Sequence, residues 1–299
     1  MFVGKNPADF FMNEYQQRTQ MLRKPSWLKV RPPYTDECRH IKSTLAELQL
    51  HTVCQEAACP NMAECFASGT ATFLILGNIC TRYCLYCNML HGNPQPIDEN
   101  EIDHLITAVK KMDLKYVVVT SVTRDDLPDG GAQAFADCIG NLRKAVPECK
   151  IEVLIPDFKD CPSALEKVLQ AKPDVVNHNM EVVEPLFSQL RPQGSYNLSL
   201  ELLSQIAKSS ASISKSGFMV GFGEKRADIL RLIDDLVAAS CSRLTIGQYQ
   251  QPTLRHWPVA KYYHPDEFAE LKKTAYKKGF QYVEAGPLVR SSYHAAQAF

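Results

Sequence analysis

Thr70-Ala-Thr-Phe-Leu-Ile-Leu76 is an apolar run rich in β-branched residues, and this composition predicts a buried strand. Three cysteines precede the run with the spacing C-x4-C-x5-C, and three follow it with the spacing C-x3-C-x2-C. The first triad is Cys54, Cys59 and Cys65, and the second triad is Cys80, Cys84 and Cys87. We expect each triad to lie in a loop at one end of the strand, where thiolates can converge on a metal.

The number of cysteines in each triad indicates the kind of metal site. Structural zinc takes four protein ligands in a closed tetrahedron. A [4Fe–4S] cluster held by three thiolates leaves one iron for another ligand. The sequence therefore favours iron–sulfur clusters, and a zinc site or a chance grouping of small buried cysteines stays as an alternative. Five further cysteines have no ligand spacing and are predicted to be structural or incidental thiols: Cys38, Cys138, Cys149, Cys161 and Cys241.

Composition limits the classes of partner. The chain has 299 residues, 45% of them hydrophobic, and a formal net charge of zero, so no overall field attracts it to nucleic acid or to a membrane surface. No apolar run approaches the roughly 20 residues of a membrane span, and the N-terminal residues lack the apolar stretch of a signal peptide. The odd number of cysteines and their tight triads favour a reducing cytoplasm with metal-bound thiolates.

Segments of strand and helix character alternate after residue 70. Runs rich in β-branched residues predict strands at 70–76, 116–122, 151–155, 175–179, 213–220, 244–248 and 282–285. Segments with helical apolar spacing predict helices at about 36–50, 101–112, 132–146, 163–172, 182–190, 198–209, 227–240 and 265–278. This order favours parallel pairing with right-handed crossovers. We predict an α/β fold, a partial (β/α)6 TIM-type barrel over residues 67–252, with an N-terminal extension over 1–66 and a C-terminal segment over 253–299.

Barrels of this kind carry their chemistry on loops at the carboxyl ends of strands. The loops Thr120–Gly131 and Asn177–Glu181 place hydroxyls, amides and carboxylates there. The second loop has more polar side chains than the capping of the following helix requires, which favours contact with a ligand. His178 alone is predicted to be a hydrogen-bonded core histidine and not a metal ligand. Glycines in Gly221–Glu224 and Gly247–Pro252 permit close approach by a ligand or a tight chain reversal.

The segment Arg23-Lys-Pro-Ser-Trp-Leu-Lys-Val-Arg31 combines basic and aromatic residues. We predict a strap that Trp27 and Leu28 pack over the mouth of the barrel. A docking surface for an acidic partner is the alternative.

Several segments together resemble the lipoyl synthase family of radical S-adenosyl-L-methionine (SAM) enzymes. The second triad is similar to the cluster motif of that superfamily, in which an aromatic residue, here Tyr86, commonly precedes the last cysteine. The other segments that carry the resemblance are Cys54…Cys59-Pro-Asn…Cys65, Gly69-Thr-Ala-Thr-Phe, Thr120–Gly131, Asn177–Glu181, Gly247-Gln-Tyr and Gly286-Pro-Leu-Val-Arg-Ser-Ser-Tyr-His294. The first triad combined with Arg290-Ser-Ser-Tyr293 separates this family from other radical SAM enzymes.

The resemblance implies the insertion of two sulfur atoms, at C6 and C8, into an octanoyl chain carried by a lysine of a lipoyl carrier domain. It implies SAM and two [4Fe–4S] clusters as cofactors. Cys80, Cys84 and Cys87 match the ligands of the SAM-binding cluster. Cys54, Cys59 and Cys65 match those of an auxiliary cluster, which is the sulfur source in this family. Ser292, preferred over Ser291, matches the family's serine ligand to the auxiliary cluster, which the C-terminal segment would supply.

The resemblance also implies contacts to SAM and protein partners. Thr120, Asn179, Glu181 and Arg191 match positions around SAM. The partners are an octanoylated lipoyl carrier domain, an external electron donor and an iron–sulfur cluster delivery protein. Two local departures, Asn78 in place of the common Asp and Val182-Val-Glu-Pro185 in place of Thr-Val-Pro, bear on local contacts and on the choice of carrier.

Three other functions stay open from the sequence. One is a different radical SAM sulfur inserter on the same barrel. The second is a non-catalytic iron–sulfur or zinc scaffold, which would tolerate replacement of Cys87. The third is a divergent homologue that has kept both clusters and changed its acyl carrier.

Overall fold

The apolar run between the triads forms strand β2 (Thr70–Ile75), and all six of its residues are buried. This computed structural model describes residues 21–29, 36–48, 50–56, 59, 61–67, 70–209 and 212–298 of the chain. The remaining strands are β1 (His51–Thr52), β3 (Ile79–Cys80), β4 (Leu90–His91), β5 (Tyr116–Ser121), β6 (Lys150–Leu154), β7 (Val175–Asn177), β8 (Ile213–Val220), β9 (Arg243–Gln248) and β10 (Tyr282–Gly286).

Eight of these strands form one sheet in the order β1-β2-β5-β6-β7-β8-β9-β10. Every pair from β2 to β10 is parallel, and the short β1 is antiparallel to β2. Strands β3 and β4 form a separate parallel pair. Within the described ranges no pairing joins β10 back to β1. The prediction of an α/β partial barrel is confirmed, since a parallel sheet of successive strand–helix units is what the alternation of the sequence specified.

Within the described ranges ten α-helices accompany these strands, and the longer ones bury an apolar face in the core. They are α1 (Asp36–Glu47), α2 (Val53–Glu56), α3 (Met62–Ala67), α4 (Glu101–Lys111), α5 (Ala132–Ala145), α6 (Pro162–Gln170), α7 (Glu184–Leu190), α8 (Tyr196–Lys208), α9 (Arg226–Ala238) and α10 (Pro265–Lys277). Leu105 and Val109 of α4 and Phe135 and Leu142 of α5 are examples of core side chains at helical spacing. None of the helices in the described part of the chain is long and apolar enough to cross a membrane.

The expectation that both triads lie in loops is wrong for three residues, because Cys80 lies in the short strand β3 and two residues of the first triad lie in helices. Cys54 lies in the single turn of α2, and Cys65 lies in α3. Their segments are too short to show a helical period in the sequence, but backbone hydrogen bonds from Cys59 N to Cys54 O (3.0 Å) and from Cys65 N to Asn61 O (2.9 Å) fold them into turns.

The described part of the predicted N-terminal strap packs on the C-terminal half of the chain. Leu28 is buried, and the Trp27 ring meets the His264 ring edge to face at 4.9 Å. Lys24 Nζ donates a hydrogen bond to Gln250 Oε1 at 2.8 Å. The rest of the predicted lead-in, residues 1–20 and 30–35, and the side chain of Cys38 lie outside the described residues. Cys138, Cys149 and Cys241 are buried in the core.

Candidate metal centres

The first triad lines one cavity together with the C-terminal segment. Its volume is about 130 Å³, and both Ser291 and Ser292 lie in its wall beside Arg290. The three cysteines of the first triad lie in the same wall. Residues from opposite ends of the sequence therefore meet at one site. They do so although α2 and α3 lead into β2, at one side of the sheet, and the C-terminal segment follows β10, the last strand on the other side.

Two backbone approaches bring the C-terminal segment to this cavity. Asn61 Nδ2 donates a hydrogen bond to Leu288 O. The backbone of Val289 lies against Gly247 of β9 so closely that a β-carbon at position 247 would collide with the Val289 carbonyl oxygen. The close approach predicted for the Gly247 segment is thus made by the chain itself.

An exposed polar contact joins the two walls of the cavity. Glu64 of α3 accepts hydrogen bonds from Tyr293 Oη at 3.0 Å and 3.1 Å, and His294 Nε2 lies 3.1 Å from Glu64 Oε1. The Tyr293 and His294 rings stack on each other at 3.9 Å. We call these three residues the Glu64 latch.

The chemistry of the first triad fits a cationic partner. Burial, followed by the charge of Cys59, raises the pKa of the Cys54 thiol to about 11. Burial, followed by the charges of Cys54 and Cys59, raises the pKa of the Cys65 thiol to about 12. Neighbouring thiolates repel each other in a site of low dielectric constant, so these groups ionise together only when a metal centre supplies positive charge.

The number of donors also bears on the kind of metal centre. Among the residues that the structure describes, no three His, Cys, Asp or Glu side chains converge on the position of a single ion. Zinc would draw its thiolates to about 2.3 Å from one point. A [4Fe–4S] cluster places each thiolate on a different iron and needs no such convergence. Three thiols beside two serines in one cavity fit a cluster that takes three thiolates and leaves one iron for another ligand.

The second triad follows β2 on a loop that neighbouring loops hold in place. Cys80 belongs to β3, and Cys87 N donates to Cys84 O at 3.0 Å. Leu85 N donates to Leu190 O at 3.0 Å, and His256 Nε2 lies 3.1 Å from Cys87 O. The loop thus contacts the end of α7 and the segment after β9.

Two thiols of the second triad, those of Cys84 and Cys87, lie in a site that also disfavours free thiolates. Burial, which outweighs the opposing hydrogen bond from Met89, raises the pKa of the Cys87 thiol to about 12. Burial also raises the pKa of the Cys84 thiol, although the nearby Arg191 guanidinium opposes that shift. A bound cluster is again the partner that would hold these groups as thiolates.

Three of the four residues expected around SAM lie together. Asn179 Nδ2 donates to Glu181 Oε1 at 3.0 Å, and Arg191 Nη1 donates to the Asn179 carbonyl at 3.1 Å. Asn179 Oδ1 is buried with no hydrogen-bond partner, and Glu181 adopts a left-handed backbone conformation with φ of 67°. An unpartnered buried acceptor and a strained non-glycine residue both occur where a ligand binds.

The hydroxyl of Thr120 bonds to the neighbouring strand instead. Its Oγ1 donates to the Leu154 carbonyl of the adjacent strand at 2.8 Å, and no described contact joins it to Asn179, Glu181 or Arg191. His178 is a hydrogen-bonded core residue, as predicted, with Nδ1 2.9 Å from Ile155 O and Nε2 3.0 Å from Ser199 Oγ. Burial, followed by the charge of Arg191, lowers the pKa of His178 to about 4.

The sequence did not identify Glu64, Arg82 or Asp157 as parts of these sites. Arg82 lies between two cysteines of the second triad and forms ion pairs with Asp125 and Asp157. Position was the only signal in the sequence, since Glu64 is adjacent to Cys65 and Arg82 lies within the C-x3-C spacing. Asp157 gave no signal because its partner is 75 residues away.

Family models match most of the chain. One described as the radical SAM superfamily matches residues 74–236, and one described as the N-terminal domain of lipoyl synthase matches residues 4–59. A lipoyl synthase of Nitrosomonas eutropha is 48% identical over 297 residues, covering 99% of this chain and 94% of that protein. A lipoyl synthase of Rubrobacter xylanophilus is 51% identical over 293 residues, covering 97% of this chain and 91% of that protein.

Solved structures share the fold at low sequence identity. Methylornithine synthase superimposes with a TM-score of 0.54 at 11% identity, covering 71% of this chain and 70% of that one. A maturase of the [FeFe]-hydrogenase superimposes with a TM-score of 0.55 at 12% identity, covering 87% of this chain and 70% of that one. At such identities these likenesses concern the fold alone.

Proposed function

Because this chain belongs to the lipoyl synthase family of the radical SAM superfamily, we propose that its two triads hold the two [4Fe–4S] clusters of that enzyme. The reaction is the SAM-dependent insertion of two sulfur atoms, at C6 and C8, into an octanoyl group carried by a lipoyl domain. The observation that carries the residue assignment is the cavity of about 130 Å³ in which the first triad meets Ser291 and Ser292.

The substrate explains why such cofactors are needed. An unactivated methylene C–H bond is not acidic and has no leaving group, so acid–base residues cannot cleave it at neutral pH. When bound, SAM and the two clusters supply a carbon-centred radical and the sulfur. The chain's own residues have three tasks: they hold these groups, orient them and exclude water from the site.

We assign Cys80, Cys84 and Cys87 to the SAM-binding cluster. Asn179, Glu181 and Arg191 would hold SAM, with the unpartnered Asn179 Oδ1 and the Glu181 carboxylate available to its ammonium or hydroxyl donors. Burial raises the pKa of Glu181, and Arg191 opposes that shift, so a cationic ligand group would stabilise the ionised carboxylate. Thr120 stays in the proposed set on its strand position, with its hydroxyl hydrogen already bonded to Leu154 O.

We assign Cys54, Cys59, Cys65 and Ser292 to the auxiliary cluster, which serves as the sulfur donor. Both serines line the cavity, and Ser292 is preferred over Ser291 on its position in the family motif. An oxygen ligand is harder than a thiolate and binds iron less firmly. Ser292 would therefore be the ligand that releases its iron as sulfur is withdrawn, and in that sense it is catalytic.

The three sequence regions take corresponding roles. Residues 1–66 bring the first triad, residues 67–252 form most of the barrel, and residues 253–299 close the site with Ser292. Support comes from the C-terminal segment, which packs on Gly247 and lines the first-triad cavity.

The proposed partners are an octanoylated lipoyl carrier domain, an external electron donor and a protein that delivers iron–sulfur clusters. We place the enzyme in a reducing cytoplasm. In support of this location, each of the ten cysteines that the structure describes is free of disulfide bonds.

The function is tested by the intact mass of an octanoylated lipoyl domain after anaerobic incubation with reconstituted enzyme, SAM and a strong reductant. We expect a gain of two sulfur atoms, and no gain in a matched reaction without SAM. Release of 5′-deoxyadenosine without a gain in mass would show a different substrate. If neither a gain in mass nor 5′-deoxyadenosine is observed, the result favours the non-catalytic scaffold.

A further inference from the structure

Arg82 is a buried guanidinium between two carboxylates. It donates four hydrogen bonds of 2.6 to 2.9 Å, two to Asp125 and two to Asp157. The side chain of Arg82 is 5% exposed, and those of Asp125 and Asp157 are 14% and 1% exposed. We call Arg82, Asp125 and Asp157 the Arg82 network. One cation and two anions give it one net negative charge.

Asp125 connects the network to the loop after β5. Thr81, the neighbour of Arg82, donates from N and from Oγ1 to the Thr123 carbonyl at 3.0 Å and 2.9 Å. Asp125 N donates back to Thr81 Oγ1 at 3.0 Å. The second-triad loop and the loop after β5 are thus joined by backbone and side-chain bonds beside the ion pair.

Asp157 connects the network to the loop after β6, and the backbone there is strained. Phe158 and Lys159 are consecutive non-glycine residues with φ of 51° and 50°. A positive φ is unfavourable for residues that carry a side chain, and it persists where the surroundings impose it. The conformation lets Lys159 N donate to Asp157 Oδ1 at 3.0 Å while Arg82 binds both oxygens of the same carboxylate.

Arg82 also contacts a cysteine of the second triad directly. Its backbone N–H donates to Cys80 Sγ at 3.4 Å. Hydrogen bonds to ligand sulfur, net charge and burial are the levers by which a protein sets the potential of an iron–sulfur cluster. The Arg82 network acts on the first two, because it anchors the residue that carries that N–H and places charge beside the loop.

We propose that Arg82, through Asp125 and Asp157, is the positioning residue of the second-triad loop and that the charge of this network sets the reduction potential of the cluster held there. This inference rests on the proposed assignment of Cys80, Cys84 and Cys87. It extends that assignment to residues that make no contact with SAM in the proposed site.

The charge of the network predicts the direction in which each substitution shifts the reduction potential, whereas packing alone predicts no direction. Arg82→Gln leaves two negative charges, which oppose adding an electron and make the potential more negative. Asp157→Asn leaves the network neutral and makes the potential more positive. The double variant R82Q/D157N has one net negative charge, as in the wild type, and should return the potential close to the wild-type value.

The test is an anaerobic redox titration of each holoenzyme followed by EPR, using the signal that changes when SAM is added. We expect shifts of opposite sign in R82Q and D157N and a near-normal potential in the double variant. Shifts of the same sign in the two single variants, or no shift in either, would overturn the proposal. If R82Q retains no iron, D157N and Asp125→Asn decide the matter, because each must raise the potential and an unchanged value in both contradicts it.

Arg82→Lys separates geometry from charge. Lysine keeps the positive charge, but its ammonium cannot form two bidentate pairs. We expect a near-normal potential together with more 5′-deoxyadenosine released per sulfur inserted. A wild-type ratio of these products in R82K would overturn the positioning part of the proposal. Iron content per chain is measured in parallel for every variant, so loss of the cluster is seen separately.

Discussion

The two triads flank the same strand, but the residues that hold their sites differ in burial. The second-triad loop is joined to its neighbours by the Arg82 network, in which Arg82 and Asp157 are 5% and 1% exposed. At the first site the Glu64 latch, in which Glu64 and His294 are 57% and 30% exposed, adds to the contacts of the buried residues Asn61 with Leu288 and Gly247 with Val289. Removing one partner of a buried ion pair costs about 3–5 kcal/mol, whereas an exposed pair contributes about 0–1 kcal/mol.

This difference corresponds to the proposed fates of the two clusters. The SAM-binding cluster must return unchanged after each cycle, and a fixed buried loop suits that task. The auxiliary cluster gives up its sulfur and must be rebuilt, so its site has to open. The exposed latch directly follows Ser292, the proposed labile ligand, so the site can open around Ser292 at little cost while Leu288 and Val289 keep the segment on the barrel.

The largest expected effects separate the two triads by function. We expect Cys87→Ala to abolish SAM cleavage and sulfur insertion together, while Cys65→Ala keeps SAM cleavage and loses sulfur insertion. Measurement of 5′-deoxyadenosine and of the intact mass of the lipoyl domain distinguishes the two results. Sulfur insertion by C87A would contradict the assignment of the second triad.

Replacing Ser292, the proposed oxygen ligand, should slow the withdrawal of sulfur from the first site. In Ser292→Cys a thiolate would bind the iron more firmly, so we expect sulfur insertion in the first turnover to fall at least about tenfold while SAM cleavage continues. Ser291→Ala is the matched control and should stay within about twofold of the wild type. A large loss of sulfur insertion in S291A, with no loss in S292C, would show that Ser291 and not Ser292 is the ligand.

The Arg82 network should contribute to stability in a defined pH range. Burial alone would raise the pKa of Asp157, but the hydrogen bonds and charge of Arg82 outweigh it and lower the pKa to about 2. This lowered value contributes stability above the unfolded pKa near 4, and the contribution is lost as pH falls toward 2. We expect D157N to lower the unfolding free energy of the cluster-free chain by about 3 kcal/mol at pH 7, with a smaller difference at pH 3.

Denaturant unfolding of both proteins across that pH range checks this expectation. A difference between wild type and D157N that stays constant from pH 7 to pH 3 would show that the ion pair is not its source.

The smallest effect concerns the Glu64 latch. Glu64→Gln keeps the size of the side chain and removes its charge, so we expect less than about 1 kcal/mol of change in unfolding free energy. The release of iron from the first site to a chelator should nevertheless speed up a few-fold, with iron in the second site unaffected. If iron leaves both sites faster by the same factor, the Glu64 latch does not act on the first site alone, and the contrast with the Arg82 network is wrong.

The parts of this picture that the sequence predicted are those with a local or periodic signal. Strands such as Tyr116–Ser121 and Ile213–Val220 lie where their β-branched runs placed them, because buried parallel strands require continuous apolar segments. The spacing of the six cysteines predicted two metal sites, and the structure brings the first triad together in one cavity. The short helices that carry Cys54 and Cys65 were missed because four to six residues show no period.

Contacts between distant residues gave no such signal. Arg82 meets partners 43 and 75 residues later in the chain, on loops that only the barrel brings together. The choice between Ser291 and Ser292 also stays with the family motif, because both side chains line the same cavity.

A single turnover measured on both clusters tests the contrast between the two sites most directly. Enzyme reconstituted with ⁵⁷Fe and ³⁴S-sulfide is given one equivalent of octanoylated lipoyl domain with SAM and reductant. Mössbauer spectra are then recorded together with the mass of the product. We expect two ³⁴S atoms in the product, loss of the cluster at the first triad and an intact cluster at the second. A product without ³⁴S, or equal loss of both clusters, would contradict the division between a consumed and a permanent site.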